Sequence, residues 1–158
     1  MGKKYVIGID YGTDSVRSVV VDSTNGEIVG TAVHEYQRWK QGLFCDPLAN
    51  QFRQHPLDYL EGLENSIRNA IKGLDSGIVK NIAGITVDTT GSTPVAVDKQ
   101  GVPLSMKPDF KDDPDAMFIL WKDHTAIREA AEINEYARTW GGKDFTMYEG
   151  GVYSSEWF

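Results

Sequence analysis

The segment with the most chemical content is Ile7-Gly8-Ile9-Asp10-Tyr11-Gly12-Thr13-Asp14-Ser15-Val16-Arg17. A carboxylate near the end of one apolar run, a Gly-Thr turn and a β-branched run make a tight hairpin. Backbone N–H groups in such a turn can converge on one point, an anion site suited to a phosphate, and the Thr13 hydroxyl adds a donor. Asp10, facing the same point, can hold Mg²⁺ directly or through its waters, because a hard cation prefers oxygen ligands. Arg17 can reach a phosphate oxygen or pair with a nearby carboxylate. The alternative is a plain hairpin, with Gly12 serving turn geometry and Asp10 and Asp14 as solvated turn residues. The turn lacks the glycine patterns of a Walker A loop and of a dinucleotide fingerprint.

The elements that must position these groups follow from periodicity. Residues 4–36 predict three successive strands: the Tyr5/Ile7/Ile9 alternation, the Val16–Val21 run ending at Asp22, and Ile28–Tyr36. Asn25-Gly26 between the second and third is a strong hairpin signal, since both residues tolerate positive φ. Residues 37–54 have no clean period and read as a long loop, which in a compact domain is usually functional or mobile. Pro56 suits the first turn of a helix. Leu57, Leu60, Leu63, Ile67, Ile71 and Leu74 then form one apolar stripe, and Ser76-Gly77 is expected to end it. Residues 81–88 predict a buried strand, Pro94–Asp98 another, and Lys99-Gln100-Gly101 a turn. The order β-β-β-α-β is an α/β plan, a meander feeding a sheet that a helix covers. The stretch 103–118, with Pro103, Pro108 and Pro114, is irregular, and Ile119-Leu120-Trp121 reads as a short strand or a helix start. A second helical stripe runs from Asp123 to about Trp140 (Ala126, Ile127, Ala130, Ile133, Ala137, Trp140) and closes at Gly141-Gly142.

At 158 residues the chain is about one domain long, on a prior of ~150 residues per domain. Its 41% hydrophobic content is ordinary for a globular protein, which argues against pervasive disorder. With 16 Lys+Arg against 23 Asp+Glu the net charge is −7, so nucleic-acid and electrostatic membrane binding, which need clustered positive charge, are not expected. Cys45 is the sole cysteine and can form neither an intramolecular disulfide nor a multi-cysteine zinc site. With no secretory leader pattern and no ~20-residue apolar run, the expectation is a soluble, cytoplasmic protein. The aromatic last residues, Gly150–Phe158, stop abruptly. They predict the front part of a longer chain, whose truncation exposes apolar surface and strand edge and favours homo-oligomer formation.

Asp10-x-Gly12-Thr13 between two strands, followed by the Asn25-Gly26 turn, resembles the first phosphate motif of actin-like ATPases and sugar kinases. More narrowly, the chain resembles the FGGY carbohydrate kinases. The blocks that carry the likeness are Phe44-Cys45-Asp46, Gln51-Phe52-Arg53, His55-Pro56-x-Asp58-Tyr59, Val87-Asp88-Thr89-Thr90-Gly91-Ser92-Thr93-Pro94, Leu120-Trp121-Lys122-Asp123-His124-Thr125-Ala126 and Gly150-Gly151-x-Tyr153-Ser154-Ser155-Glu156-Trp157. They span nearly the whole chain in the family's order.

The resemblance implies an actin-like (ribonuclease H-like) α/β fold, a mixed sheet with flanking helices. It makes residues 1–158 a partial N-terminal kinase domain lacking the nucleotide-binding C-terminal domain. It also implies ATP and Mg²⁺ as cofactors and a ketopentose as the acceptor. Within the family the likeness is to members acting on the terminal hydroxyl of L-ribulose, in L-arabinose breakdown. By the same resemblance Asp10 sits near the metal and the transferring phosphate, with Gly12, Thr13 and Arg17 near the phosphates. Thr90-Gly91-Ser92 touches the sugar, the alternative being that Gly91 and Ser92 only turn the chain between two strands; glycerol kinases of this family carry an Arg-Glu pair at the Gly91-Ser92 positions, and small residues leave room for a longer ketose. Trp121 packs its ring on the sugar, its alternative being core burial. Asp123 contacts the sugar or caps the following helix, while Lys122 and His124 read as surface groups. Asp88 ends a strand pointing at the cleft, to order the site or to be satisfied by backbone amides. Cys45 reads as a packing residue without an activating partner. Ser154–Trp157 starts a helix lining the cleft or caps one. The general base and adenosine site are expected outside this chain, which alone is expected to be inactive. Two other readings stay open: a non-catalytic actin-like interaction module, and a kinase for another pentulose or polyol.

Overall fold

The computed structural model describes residues 2–155. The chain divides into two compact units, Met1–Leu43 with His55–Thr90, and Phe44–Gln54 with Gly91–Phe158.

The first unit is built on a four-stranded sheet. β1 (Tyr5–Tyr11), β2 (Ser15–Asp22) and β3 (Ile28–Glu35) form the expected antiparallel meander. β6 (Ile82–Thr89) pairs parallel to β1, giving the order β3-β2-β1-β6. A parallel neighbour requires a crossover, and helix α2 (Pro56–Ile71) supplies most of it. Strand alternation then sorts the side chains. Tyr5, Ile7, Ile9, Val16 and Val20 are buried, in one core cluster with Tyr36 and Ala70, and Leu63, Ile67 and Ile71 of α2 pack against them. The other face carries Gly8, Asp10, Arg17 and Val19. Gly62 lets α2 approach β2 closely, since a Cβ there would lie 2.6 Å from Val16 Cγ1. The fully buried Ser18 and Ser66 hydroxyls share a 2.7 Å hydrogen bond across the same contact.

Several local expectations need correction. The β2–β3 turn is longer than a two-residue Asn-Gly turn, and only Gly26 has positive φ. It is closed by Asp22 N–H to Glu27 O at 2.9 Å, while the Asp22 carboxylate accepts from Thr24 N–H and Oγ1 and pairs with Lys3. The expected loop 37–54 holds a short helix, α1 (Gln37–Lys40), and a hairpin of β4 (Cys45–Asp46) and β5 (Gln51–Gln54). α2 is begun by Pro56 and capped by His55 Nδ1, as Pro56 suggested, but Ser76-Gly77 does not end it. Gly73, at φ +84, follows its C-cap, and Asp75 caps a separate helix, α3 (Ser76–Lys80). β6 is exposed, with Ile85 and Val87 59% and 57% accessible, because it is an edge of the sheet while α2 packs on β2 and β3.

In the second unit β7 (Phe118–Ile119) joins β5. Pro94–Asp98 is not a strand; it makes isolated contacts, a Val97–Pro103 bridge and Ile119 N–H to Pro94 O. Pro103, Pro108 and Pro114 each introduce a single 3-10 turn. The second long helix, α4 (Ile127–Thr139), begins four residues later than expected, and Gly141 follows it at φ +84. Ala130 and Asn134 are its buried residues, whereas Ile127 and Trp140 are exposed. No helix among the described residues is long and apolar enough to cross a membrane.

Candidate functional site

β1 delivers Asp10 to the uncovered face of the first sheet, one residue before the strand ends. Register places Arg17 of β2 on one side of it and Asp88 of β6 on the other. The Arg17 guanidinium stands 3.9 Å from Asp10 Oδ2, both side chains being exposed. Gly8, Ile9, Asp10, Arg17, Val19, Thr86, Val87 and Asp88 line a shallow concavity of about 300 Å³. Gly8 keeps its floor low, since a Cβ there would meet Val19 Cγ2 at 3.2 Å. The carboxylate therefore faces a hollow, beside a cation and a second carboxylate. Among the described residues no three His, Cys, Asp or Glu groups form a metal cage. One or two carboxylates whose remaining partners are water and phosphate oxygens suit Mg²⁺, which dehydrates reluctantly.

The turn after Asp10 differs from a nest of amides. Gly12 N–H donates to Ser15 O at 3.0 Å and is spent on closing the hairpin. Gly12 does not adopt positive φ. Thr13 is half-buried in the turn. Asp88 Oδ1 accepts from the N–H of Thr89, the first bond of the segment leading into Thr90-Gly91-Ser92. The boundary between the two units falls within that segment, after Thr90. Ser92 holds φ +50, unusual for a residue with a Cβ.

In the second unit Trp121 is 52% exposed, so core burial does not account for it. Asp123 is the clear correction. It caps no helix, since α4 starts at Ile127 with Ala126 before it. It is not a surface acid either: Asp123 is 2% exposed and faces Arg53, 4% exposed. Its Oδ2 accepts from Phe52 N–H and Arg53 Nε, each at 2.7 Å. Its Oδ1 accepts from Thr125 N–H and Oγ1 at 3.1 and 2.7 Å. Four accepted bonds fill a carboxylate's capacity, leaving none for a sugar hydroxyl. Burial pushes its pKa up, but the bonds from Arg53, Thr125 and Phe52 outweigh burial and hold it below the ordinary carboxylate range. Arg53 is further bound to Asp115, the Pro114 carbonyl and Thr125. This buried pair was not visible in the sequence, because its members lie 70 residues apart. The exposed residue His124 shares a 2.6 Å hydrogen bond between its Nδ1 and Ser155 Oγ, and the Lys122 ammonium sits 4.7 Å over the Phe52 ring. Burial raises the Cys45 thiol's pKa, as suits a packing residue. Of the Ser154–Trp157 segment, Glu156 and Trp157 lie outside the described residues.

Residues 5–141 match the N-terminal domain of the FGGY family of carbohydrate kinases. A ribulokinase of Vibrio parahaemolyticus is 46% identical over 156 residues, 99% of this chain and 28% of that protein. One from Halalkalibacterium halodurans is 39% identical, with the same coverage. The chain thus spans about 28% of the length of the curated relatives it matches. Among solved structures, a gluconate kinase from Lactobacillus acidophilus aligns over 89% of this chain and 23% of its own at TM-score 0.59. A xylulose kinase from Bifidobacterium adolescentis aligns over 89% and 22% at 0.60. Both are 20% identical, a likeness that establishes the fold, an actin-like α/β architecture. With its meander, parallel β6 and exposed Asp10 on one sheet, and with its residues 5–141 matching the family's N-terminal domain, the chain belongs to the FGGY carbohydrate kinases.

Proposed function

We propose that the chain is the N-terminal portion of a kinase that transfers the γ-phosphate of ATP to the terminal hydroxyl of L-ribulose, with both units belonging to that portion. The observation that carries this is Asp10, an exposed carboxylate lining a concavity with Arg17 and Asp88, in a chain 46% identical to a ribulokinase. Phosphoryl transfer asks mainly for positioning and charge stabilisation. Asp10 would hold Mg²⁺ through its oxygens or their waters, and the ion when bound neutralises phosphate charge. Arg17, 3.9 Å from Asp10, offers a guanidinium for a phosphate oxygen. Gly12 keeps the turn tight and Thr13 offers a hydroxyl. Thr90, Gly91 and Ser92 are assigned to the ketose, where small side chains leave room for a linear sugar. The half-exposed Trp121 ring is assigned to its apolar C–H face. Asp123 supports the segment that carries Trp121 and touches no ligand. The base for the acceptor hydroxyl and the adenosine clamp are assigned to the remainder of the longer enzyme, so this chain alone is inactive. Using free ketose and ATP, the enzyme works in the cytoplasm.

The test is a coupled ATPase assay of the full-length protein across L-ribulose, D-ribulose, L- and D-xylulose and glycerol. L-ribulose is expected to give the highest kcat/KM. A tenfold preference for another sugar, about 1.4 kcal/mol, overturns the substrate, and no turnover with any of them overturns the activity.

A further inference from the structure

The turn that follows Asp10 is gripped from outside by α1. Tyr36 N–H donates to the Asp14 carbonyl at 3.0 Å, and the Trp39 indole Nε1–H donates to Asp14 Oδ1 at 2.6 Å. A four-residue helix has no stability of its own, so something else must fix Trp39. Asp58 on α2 does so. Its Oδ1 accepts from Arg38 N–H and its Oδ2 from Trp39 N–H. The Arg38 guanidinium then bridges Asp58 and Glu61, at 2.8 Å to each. The opposite flank of the turn is held by ring stacking. Tyr11, between Asp10 and Gly12, stacks on Tyr59 at 5.5 Å, and Tyr59 stacks on Tyr36 at 5.0 Å. Both ends of the turn, Tyr11 and Asp14, are thus tied to one corner where α1 meets α2.

This matters if the turn receives phosphate. Without the indole bond the Asp14 end of the turn, two residues from Gly12, is free to shift and carry the phosphate-facing groups with it. The short charge-assisted bond from the indole keeps that carboxylate in one place. Resting on the assignment of the turn to phosphoryl transfer, we propose that Trp39 is a positioning residue for that turn, acting through Asp14.

The test is a double-mutant cycle in the full-length protein, assayed with L-ribulose and Mg·ATP. Trp39→Phe keeps the ring and removes the donor. It is expected to lower kcat about tenfold, about 1.4 kcal/mol in activation free energy, with the L-ribulose KM within twofold and the melting temperature within a few degrees. Asp14→Ala should match it, and Asp14→Asn, which keeps an acceptor for the indole, should restore kcat to within threefold of the parent. The Trp39→Phe/Asp14→Ala pair should be no worse than either single change. A hundredfold, additive loss would show separate roles and overturn the proposal, as would an unchanged kcat in Trp39→Phe while Asp10→Asn is inactive. If Asp10→Asn itself keeps near-parental turnover, the assignment of the turn falls first and the proposal with it. Should Trp39→Phe fail to fold, Asp14→Ala at the exposed turn decides alone: an unchanged kcat refutes the linkage.

Discussion

Replacing Asp123 by Asn should destabilise the protein far more than an isosteric change at a surface acid. The carboxylate accepts four hydrogen bonds, two of them at 2.7 Å from Phe52 N–H and Arg53 Nε. An amide keeps one acceptor and points an NH₂ at donors on its other side, so either the Arg53–Phe52 pair or the Thr125 pair meets a donor. Breaking a buried ion pair by removing one partner costs about 3–5 kcal/mol. Arg53 keeps Asp115, although that side chain is largely exposed and screened, which puts the loss near the low end, about 3 kcal/mol. Urea denaturation of parent and variant measures it directly. Because the Asp123 pKa is depressed in the folded state, its stabilisation is present above the unfolded carboxylate value and lost as pH falls below it. The gap between parent and variant should therefore narrow from pH 6 to pH 3. A loss below about 1 kcal/mol at neutral pH, or a gap that widens on acidification, would refute the buried-pair reasoning.

Gly62→Ala sets helix propensity, which favours Ala by about 1 kcal/mol, against a Cβ placed 2.6 Å from Val16 Cγ1. Overpacking costs about 1–3 kcal/mol, so net destabilisation is expected, and a stabilised variant in chemical denaturation would contradict the close α2–β2 contact. Tyr36→Phe removes a buried hydroxyl that has no hydrogen-bond partner among the described residues. It should be neutral or mildly stabilising, and a loss above about 1 kcal/mol would reveal a partner. Asp22, bonded to Lys3 and Thr24, has its pKa lowered to about 2. Its folded-state value lies below the unfolded one of about 3.9, so its contribution holds above about pH 4 and fades between about pH 4 and 2. Asp22→Asn should flatten the denaturation midpoint over that interval; parallel curves would remove Asp22 from the acid response.

The meander and α2 were legible because their signals are local: alternating β-branched runs for β1 and β2, Pro56 and a leucine stripe for α2. Local signals mislead where two of them compete. Ser76-Gly77 looks like a helix end, yet Asp75 just before it caps a new helix and Gly73 has already stopped the old one. β6 has the composition of a buried strand, but burial depends on what lies beyond an edge, which no local pattern states. Asp10 and Arg17 could be placed side by side from hairpin logic alone. Asp123 could not be assigned to Arg53, nor Trp39 to Asp14, because those pairs are 70 and 25 residues apart and only the folded topology joins them.

If the carboxylate on the open face of β1 serves phosphoryl transfer, kcat of Asp10→Asn in the full-length protein with L-ribulose and Mg·ATP must fall. Removing a charge that acts in the transition state is expected to cost about a hundredfold or more, with melting temperature unchanged because the side chain is exposed and only loosely paired. Turnover within about threefold of the parent would remove Asp10 from the reaction.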